Sequence, residues 1–183
     1  MTTRREPILW IQLLALGIIP LELLLLRMVL GGAALGPLPP LERLLTWGVG
    51  VLAPTLSLWK RPADWASLLI LRPPLKKRTK IQLQLSTLQK HPIPRIGLAI
   101  GAISLLALFW WIDQSALIVY ELSPLKDNSR LITLLTAVPL LALILWQWHQ
   151  LCQSIWLLTR TEESLENIPC ITETQLGKER LCL

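Results

Sequence analysis

Four long apolar stretches constrain the fold of this chain more than any other feature, and they cover residues 8–30, 44–58, 96–111 and 131–151. A helix needs roughly 20 apolar residues to cross the hydrocarbon core of a bilayer, which is about 30 Å thick. The first and last stretches meet this length, and the third does so if its helix continues toward Tyr120. The second stretch is short and contains Pro54, so a re-entrant or tilted segment is the alternative there. The sequence predicts an all-α membrane protein with four transmembrane helices.

The composition agrees with a membrane location. Apolar residues make up 52% of the chain and charged residues only 16%, and the mean hydropathy is +0.51. Soluble globular domains carry about 25% charged residues. An ordinary soluble protein is therefore excluded as the expected class.

The basic residues are distributed unevenly between the apolar stretches. Fourteen of the 18 Lys and Arg residues lie before residue 8, within 60–95 or after residue 158. Cytoplasmic loops of membrane proteins carry an excess of Lys and Arg. This rule predicts a four-helix membrane domain over 1–158, with the 60–95 segment and both termini in the cytoplasm. Residues 159–183 form a polar cytoplasmic tail in this scheme.

The cytoplasmic segment 60–95 carries nine basic residues against one acidic residue. Within it, Ile81, Leu85 and Leu88 recur at helical spacing, which predicts a basic amphipathic helix over 76–89. One interpretation is a loop that rests on anionic lipid headgroups, where each charge contributes about 1 kcal/mol. The other is a docking surface for a partner membrane complex. Nucleic acid is not an expected partner, because no aromatic residues are interleaved with the basic ones. The candidate docking residues are Lys76, Lys77, Arg78 and Lys80.

Two ionisable residues fall inside the first apolar stretch. Glu22 and Arg27 are five positions apart, which corresponds to about 140° around a helix, so they are not an ideal intrahelical pair. An ionisable group within the bilayer is costly and is expected to face protein rather than lipid. We expect an intramembrane polar contact to a partner subunit, a pigment or a lipid headgroup. The alternative is that Glu22 reaches Arg43 or the far interface.

A small-residue pattern marks the third stretch. Gly97 and Gly101 are four positions apart, a spacing that allows two membrane helices to approach closely. This pattern predicts a helix-packing face without naming the partner.

One histidine lies in the fourth stretch beside two tryptophans. His149 follows Trp146 and Trp148, and an imidazole in a membrane helix can bind the magnesium of chlorophyll or the iron of a haem. The alternative is a hydrogen-bonded packing residue. No cofactor is required by the sequence, with chlorophyll or carotenoid as the candidate pigments. No metal-ligand spacing and no catalytic constellation are found, so an enzyme is not expected.

Short motifs at the start of the chain resemble those of the low-complexity tail membrane proteins, a family of cyanobacteria. They are Glu6-Pro7, Leu9-Trp10-Ile11, Pro20-Leu21-Glu22 and Trp59-Lys60-Arg61-Pro62. The resemblance covers about 4–158, and the chain departs from it in having a brief tail that is not low in complexity. It implies a photosynthetic prokaryote and a thylakoid or plasma membrane, and it supplies no catalytic residues.

The expected function is that of a non-enzymatic accessory or assembly protein. Its partner would be an integral membrane complex of the thylakoid, most plausibly a photosystem or its assembly intermediate. The alternatives are a pigment-binding membrane protein, and a small transporter or lipid-handling protein that uses Glu22.

Overall fold

The computed structural model describes residues 6–66, 78–89 and 91–160. Its α-helices are α1 (Pro7–Leu13), α2 (Ala15–Leu30), α3 (Pro39–Trp47), α4 (Ala53–Lys60), α5 (Lys80–Leu88), α6 (Pro92–Ser115) and α7 (Arg130–Leu158). A π-helical segment, Gly48–Leu52, joins α3 to α4, and a 3₁₀ segment, Ala116–Leu122, extends α6. The described part of the chain is thus helical, as the sequence predicts.

Three helical segments in this part of the chain are long and apolar enough to cross a membrane. They are Pro7–Leu30, Pro92–Leu122 and Arg130–Leu158. Their positions agree with the first, third and fourth predicted spans, and the helical segment from Pro92 extends to Leu122, which gives the third span its additional length.

The prediction of a fourth transmembrane helix over 44–58 is wrong, because this stretch is not among the three candidate spans. It lies within the helical segment 39–60, which is long enough but not apolar enough. Glu42 and Arg43 lie near its start, and Thr46, Thr55 and Ser57 add further polar groups. Length alone does not make a spanning helix, because each charged residue opposes transfer into lipid.

The chain divides into two compact units. The first unit comprises Met1–Leu16, Ser57–Leu98 and Trp148–Leu183, and the second unit comprises Gly17–Leu56 and Ala99–Gln147. Each candidate span therefore contributes one end to each unit. The first unit has a core of Leu9, Trp65, Leu85 and Leu157, all fully buried. In the second unit the fully buried apolar side chains include Leu26, Val51, Phe109 and Leu141.

The π-helical segment brings a glycine close to α7 within the second unit. Pro54 has no N–H to donate to the carbonyl of Gly50, so the regular hydrogen-bond ladder is interrupted here. A Cβ atom added at Gly50 would lie 3.0 Å from the backbone oxygen of Val138 and 3.1 Å from Cβ of Leu141. A Cβ atom added at Gly48 would meet nothing within 4 Å. Gly50 is thus a close-packing position and Gly48 is not.

This difference predicts the effect of adding a methyl group at each position. Both Gly50→Ala and Gly48→Ala gain about 1 kcal/mol of helix propensity. Only Gly50→Ala forces α7 to move, and overpacking costs about 1–3 kcal/mol. We expect Gly50→Ala to unfold at a lower temperature than Gly48→Ala when both are heated in detergent micelles. Equal midpoints would contradict the close approach at Gly50.

Candidate functional site

The predicted docking residues have different positions in the structure. Lys76 and Lys77 lie outside the described residues, and Lys80 is described only as the first residue of α5. Arg78 is buried, and its guanidinium forms a two-pronged ion pair with Asp64, with Nη1 3.1 Å from Oδ1 and Nη2 against Oδ2. Both side chains are fully buried. The structure therefore does not support Arg78 as a surface docking residue, because its charge is engaged within the chain.

The apolar face of α5 is also engaged within the first unit. Leu85 packs in the core with Leu9, Trp65 and Leu157, and Leu88 packs against that core. The helix begins with a capping box, in which the Thr79 hydroxyl accepts from the backbone N–H of Gln82 and the Gln82 side chain accepts from that of Thr79. The amphipathic helix was predicted, but Leu85 and Leu88 of its apolar face cover the protein's own core and are not free for a partner.

Glutamine side chains connect α1, α7 and the loop that follows α4. Gln12 of α1 donates from Nε2 to the backbone oxygen of Trp65, and the same atom lies 3.4 Å from Oε1 of Gln150. Gln150 in turn donates to the backbone oxygen of Asp64 over 3.2 Å. The hydroxyl of Ser154 donates to Oε1 of Gln12. These neutral side chains satisfy buried backbone carbonyls that have no helical partner.

A second set of glutamines holds the neighbouring residue of the same loop. Gln89 and Gln153 each donate from Nε2 to the backbone oxygen of Ala63 over 3.1 Å. Gln89 also donates to Oε1 of Gln153 over 2.9 Å. We call Gln12, Gln89, Gln150, Gln153 and Ser154 the glutamine network. It fixes residues 63–65 between α1, the end of α5 and α7.

The sequence contains a signal for this network that our sequence analysis missed. Gln150, Gln153 and Ser154 recur at intervals of three and four near the end of α7, so they share one helix face. Polar residues on one face of a membrane helix are expected to bond to other helices or to backbone carbonyls. The partners of these residues could not be read from this pattern.

His149 adjoins the glutamine network, and its surroundings test whether it could bind a pigment. The side chain is fully buried, and its Nε2 lies 2.8 Å from Nε2 of Gln153. A chlorophyll or haem ligand needs one ring nitrogen that faces a space as large as a macrocycle. A fully buried imidazole faces protein instead, so His149 does not fit this role. It fits the alternative of a packing residue.

Gly97 and Gly101, the predicted packing glycines, lie in different units. In the first unit, the backbone oxygen of Gly97 accepts a hydrogen bond of 2.8 Å from Nε1 of Trp148. A Cβ atom added at Gly97 would lie 3.0 Å from Sγ of Cys152. Gly97 therefore packs against α7 of its own chain. Gly101 is buried in the second unit.

A network of four charged residues lies in the second unit, and we call it the Asp113 network. Asp113 binds two cations, with Nε of Arg43 at 2.6 Å from Oδ2 and Nη1 of Arg130 at 2.8 Å from Oδ1. Arg130 also contacts Glu42 at 3.1 Å. The Arg43 guanidinium lies 5.0 Å from the ring centroid of Trp110. Paired charges of this kind tie α3, α6 and α7 together, whereas an unpaired charge would be costly.

Glu22 and Arg27 make separate contacts in the second unit. Nε2 of Gln147 donates to Oε1 of Glu22 over 2.6 Å. Arg27 donates to the backbone oxygen of Ser115 over 3.4 Å, and its guanidinium lies 5.7 Å from the ring centroid of Trp111. Glu22 thus faces protein, as the cost of a carboxyl group in lipid predicts, but its partner is an amide of the same chain rather than Arg43.

The chemistry available at these sites is structural. Within the described residues, no group of three or more His, Cys, Asp and Glu side chains is placed to hold a metal ion. The buried polar side chains bond to each other and to backbone carbonyls. Such an arrangement can fix helices.

Comparison with known proteins agrees with the resemblance seen in the sequence. A family model described as low-complexity tail membrane protein-like matches residues 5–183. The chain therefore belongs to this family. No curated protein and no solved structure matches it.

The Asp64–Arg78 pair is expected to stabilise the first unit. Removing one partner of a buried ion pair costs about 3–5 kcal/mol, because the other charge is left uncompensated. We expect Asp64→Asn and Arg78→Gln each to lower the free energy of unfolding by this amount. The double variant should lose less than the sum of the two, since it leaves no buried charge. The measurement is a double-mutant cycle from denaturant unfolding in micelles.

The exposed pair of Lys126 and Glu121, with 41% and 81% exposed side chains, provides a control. The hydrogen bond that Lys126 donates to Glu121 raises the pKa of Lys126, so the ammonium stays charged at neutral pH. Lys126→Gln should leave unfolding unchanged, because solvent screens such a pair. Additive losses in the Asp64–Arg78 cycle would mean that the two side chains do not interact.

Proposed function

We propose that this member of the low-complexity tail membrane protein-like family is a non-enzymatic accessory or assembly protein that binds laterally to a larger membrane complex. One observation carries the proposal. In the described residues, each side chain of the glutamine network, the Asp113 network and the Glu22–Gln147 pair makes a polar contact within the chain. What remains for a partner is the apolar outer surface of the helices and the basic segment.

The first candidate span offers the most uncovered apolar surface. About 22% of its apolar window is buried, against 39% in each of the other two. Its large apolar side chains that are between 42% and 66% accessible are Trp10, Ile11, Leu14, Leu16, Ile18, Leu21, Leu24 and Leu25. Lipid or a helix of another membrane protein can cover such a surface, because neither requires hydrogen bonds. We propose that a transmembrane helix of the partner complex covers it.

The proposed location is the thylakoid membrane of a cyanobacterium, and the proposed partner is a photosystem or its assembly intermediate. This rests on the family membership and on what the resemblance implies about the organism. Anionic lipids are the second proposed partner, since the basic segment carries nine basic residues against one acidic residue.

We further propose that both termini and the basic segment face the cytoplasm. The distribution of Lys and Arg supports this orientation. Contacts in the first unit support it too, because Gln12 near the start of one candidate span bonds to Gln150 and Ser154 near the end of another. These contacts favour the two ends on one side.

The two alternative functions lack a comparable observation. Pigment binding would require His149 to face a macrocycle, and its imidazole is fully buried beside Gln153. A transporter would require Glu22 to be free for a solute, and Gln147 holds it. An absorption spectrum of the purified protein separates the pigment alternative from the proposal.

Affinity purification from mildly solubilised membranes tests the proposed function. We expect subunits of one membrane complex to co-purify, and salt then separates the two ways of binding. Electrostatic docking weakens as the screening length falls from about 10 Å at 0.1 M to about 3 Å at 1 M salt. Lateral helix packing is nearly indifferent to salt. Purification of the tagged protein alone would contradict the proposal.

A charge variant of the basic segment gives a sharper result. Lys76, Lys77 and Lys80 are changed together to Gln, while Arg78 is kept because it pairs with Asp64. If the lysines dock on a partner, the variant should lose co-purification at low salt, whereas a control with Lys60 and Arg61 changed to Gln should keep it. A complex that survives the triple variant and high salt is held by the spanning helices.

The proposed orientation predicts the labelling of single cysteines. In a background without the native cysteines, Arg61→Cys should react with an impermeant thiol reagent from the cytoplasmic side, and Asn128→Cys from the opposite side. Both positions are exposed, and one candidate span separates them. Labelling of both from one side of sealed vesicles would rule out a crossing by Pro92–Leu122.

A further inference from the structure

Glu22 and Gln147 form an isolated polar pair within the second unit. The Nε2–H of Gln147 donates to Oε1 of Glu22 over 2.6 Å, and the Glu22 residue is only 9% exposed. Glu22 lies 15 residues after Pro7 and eight residues before Leu30, which corresponds to about 22 Å and about 12 Å along the helix. The pair therefore lies well inside the hydrocarbon region.

Two oxygen atoms of this pair have no hydrogen-bond partner. They are Oε2 of Glu22 and Oε1 of Gln147, and both are buried. An ionised carboxylate has no hydrogen to offer, so it leaves the amide oxygen beside it unsatisfied. Buried polar atoms without partners cost about 1–3 kcal/mol each, and more when the group is charged. The ionised form of Glu22 is thus a poor fit to its own surroundings.

No cation compensates a negative charge at Glu22 among the described contacts. Arg27, the nearest basic residue on α2, directs its Nη2 to the backbone oxygen of Ser115. Arg43 and Arg130 are bound to Asp113. Along α7, the titratable residue nearest to Gln147 is His149, and its Nε2 contacts Gln153.

We propose that Glu22 binds a proton inside the membrane and pairs with Gln147 as a neutral carboxylic acid. One proton on Oε2 satisfies both unpartnered oxygens, because the new O–H donates to Oε1 of Gln147 while the amide N–H donates to Oε1 of Glu22. The step is simple protonation of a carboxylate, and no bond other than O–H is formed. The product is uncharged and has two hydrogen bonds between α2 and α7.

This proton site is independent of the proposed accessory function. It explains how an acidic residue is tolerated in the first candidate span, and it couples the α2–α7 contact to pH. Loss of the proton creates a buried charge and removes one of the two hydrogen bonds. The contact is therefore strong where the proton is bound and weakens as the pH rises.

Infrared spectroscopy of the protein in lipid nanodiscs tests the proposal directly. We expect the carbonyl stretch of a protonated carboxylic acid at pH 7 in the wild type and its loss in Glu22→Gln. In Gln147→Leu the band should shift to higher frequency, because the carbonyl loses its hydrogen bond. If wild type and Glu22→Gln give the same spectrum in this region, Glu22 is ionised and the proposal is overturned.

Thermal unfolding of the same variants gives an independent result. Gln in place of Glu22 keeps a neutral donor and acceptor, so Glu22→Gln should retain the wild-type midpoint at pH 7, whereas Gln147→Leu should lower it. The wild-type midpoint should fall as the pH is raised and Glu22→Gln should lack that part of the fall. A Glu22→Gln variant that unfolds as early as Gln147→Leu would show that the carboxylate itself is needed.

Discussion

The bilayer core offers no hydrogen-bond partner, and this constraint explains why the polar side chains of the helices bond to one another and to backbone carbonyls. A polar group carried into the hydrocarbon region must find its partner within the protein, or lose several kcal/mol. α7 carries Gln147, Gln150, Gln153 and Ser154 on an otherwise apolar helix, and each of them bonds to another segment. The polar residues thus determine which helix faces meet, while the apolar residues provide the packing around them.

Besides the buried Asp64–Arg78 ion pair of the first unit, two networks of different chemistry meet this constraint. In the first unit, neutral amides hold the backbone oxygens of Ala63, Asp64 and Trp65. An amide costs less to desolvate than a charge, and its two N–H groups can bond to two acceptors at once. In the second unit, Asp113 binds two arginines that approach from α3 and α7. A buried carboxylate between two cations is stable only while both remain, so this network is more sensitive to single substitutions than the glutamine network.

Sequence patterns predicted the helices better than their contacts. The three longest apolar runs correspond to the candidate spans, because length and apolarity decide partition into a bilayer. The apolarity of the stretch 44–58 was overestimated, because the chosen window left out Glu42 and Arg43. Both residues belong to the same helical segment, 39–60. The basic amphipathic helix was also predicted, yet its pattern did not indicate that Leu85 packs in the protein's own core or that Arg78 pairs with Asp64. Periodicity shows which residues share a face of one helix. It does not show which faces of two helices contact each other.

The burial of Arg78 changes how the basic segment is interpreted. An arginine held by Asp64 fixes the chain just before α5, so Lys76 and Lys77 precede an anchored residue and Lys80 follows it. Lysines are suited to diffuse contact with phosphate groups, whereas arginine is suited to the two-pronged geometry that Arg78 uses on Asp64. This division favours a structural role for the arginine and a surface role for the lysines. Lipid headgroups and an acidic protein face both attract such lysines. Only with a protein partner would binding through the lysines also depend on a second, apolar contact, such as the exposed face of the first candidate span.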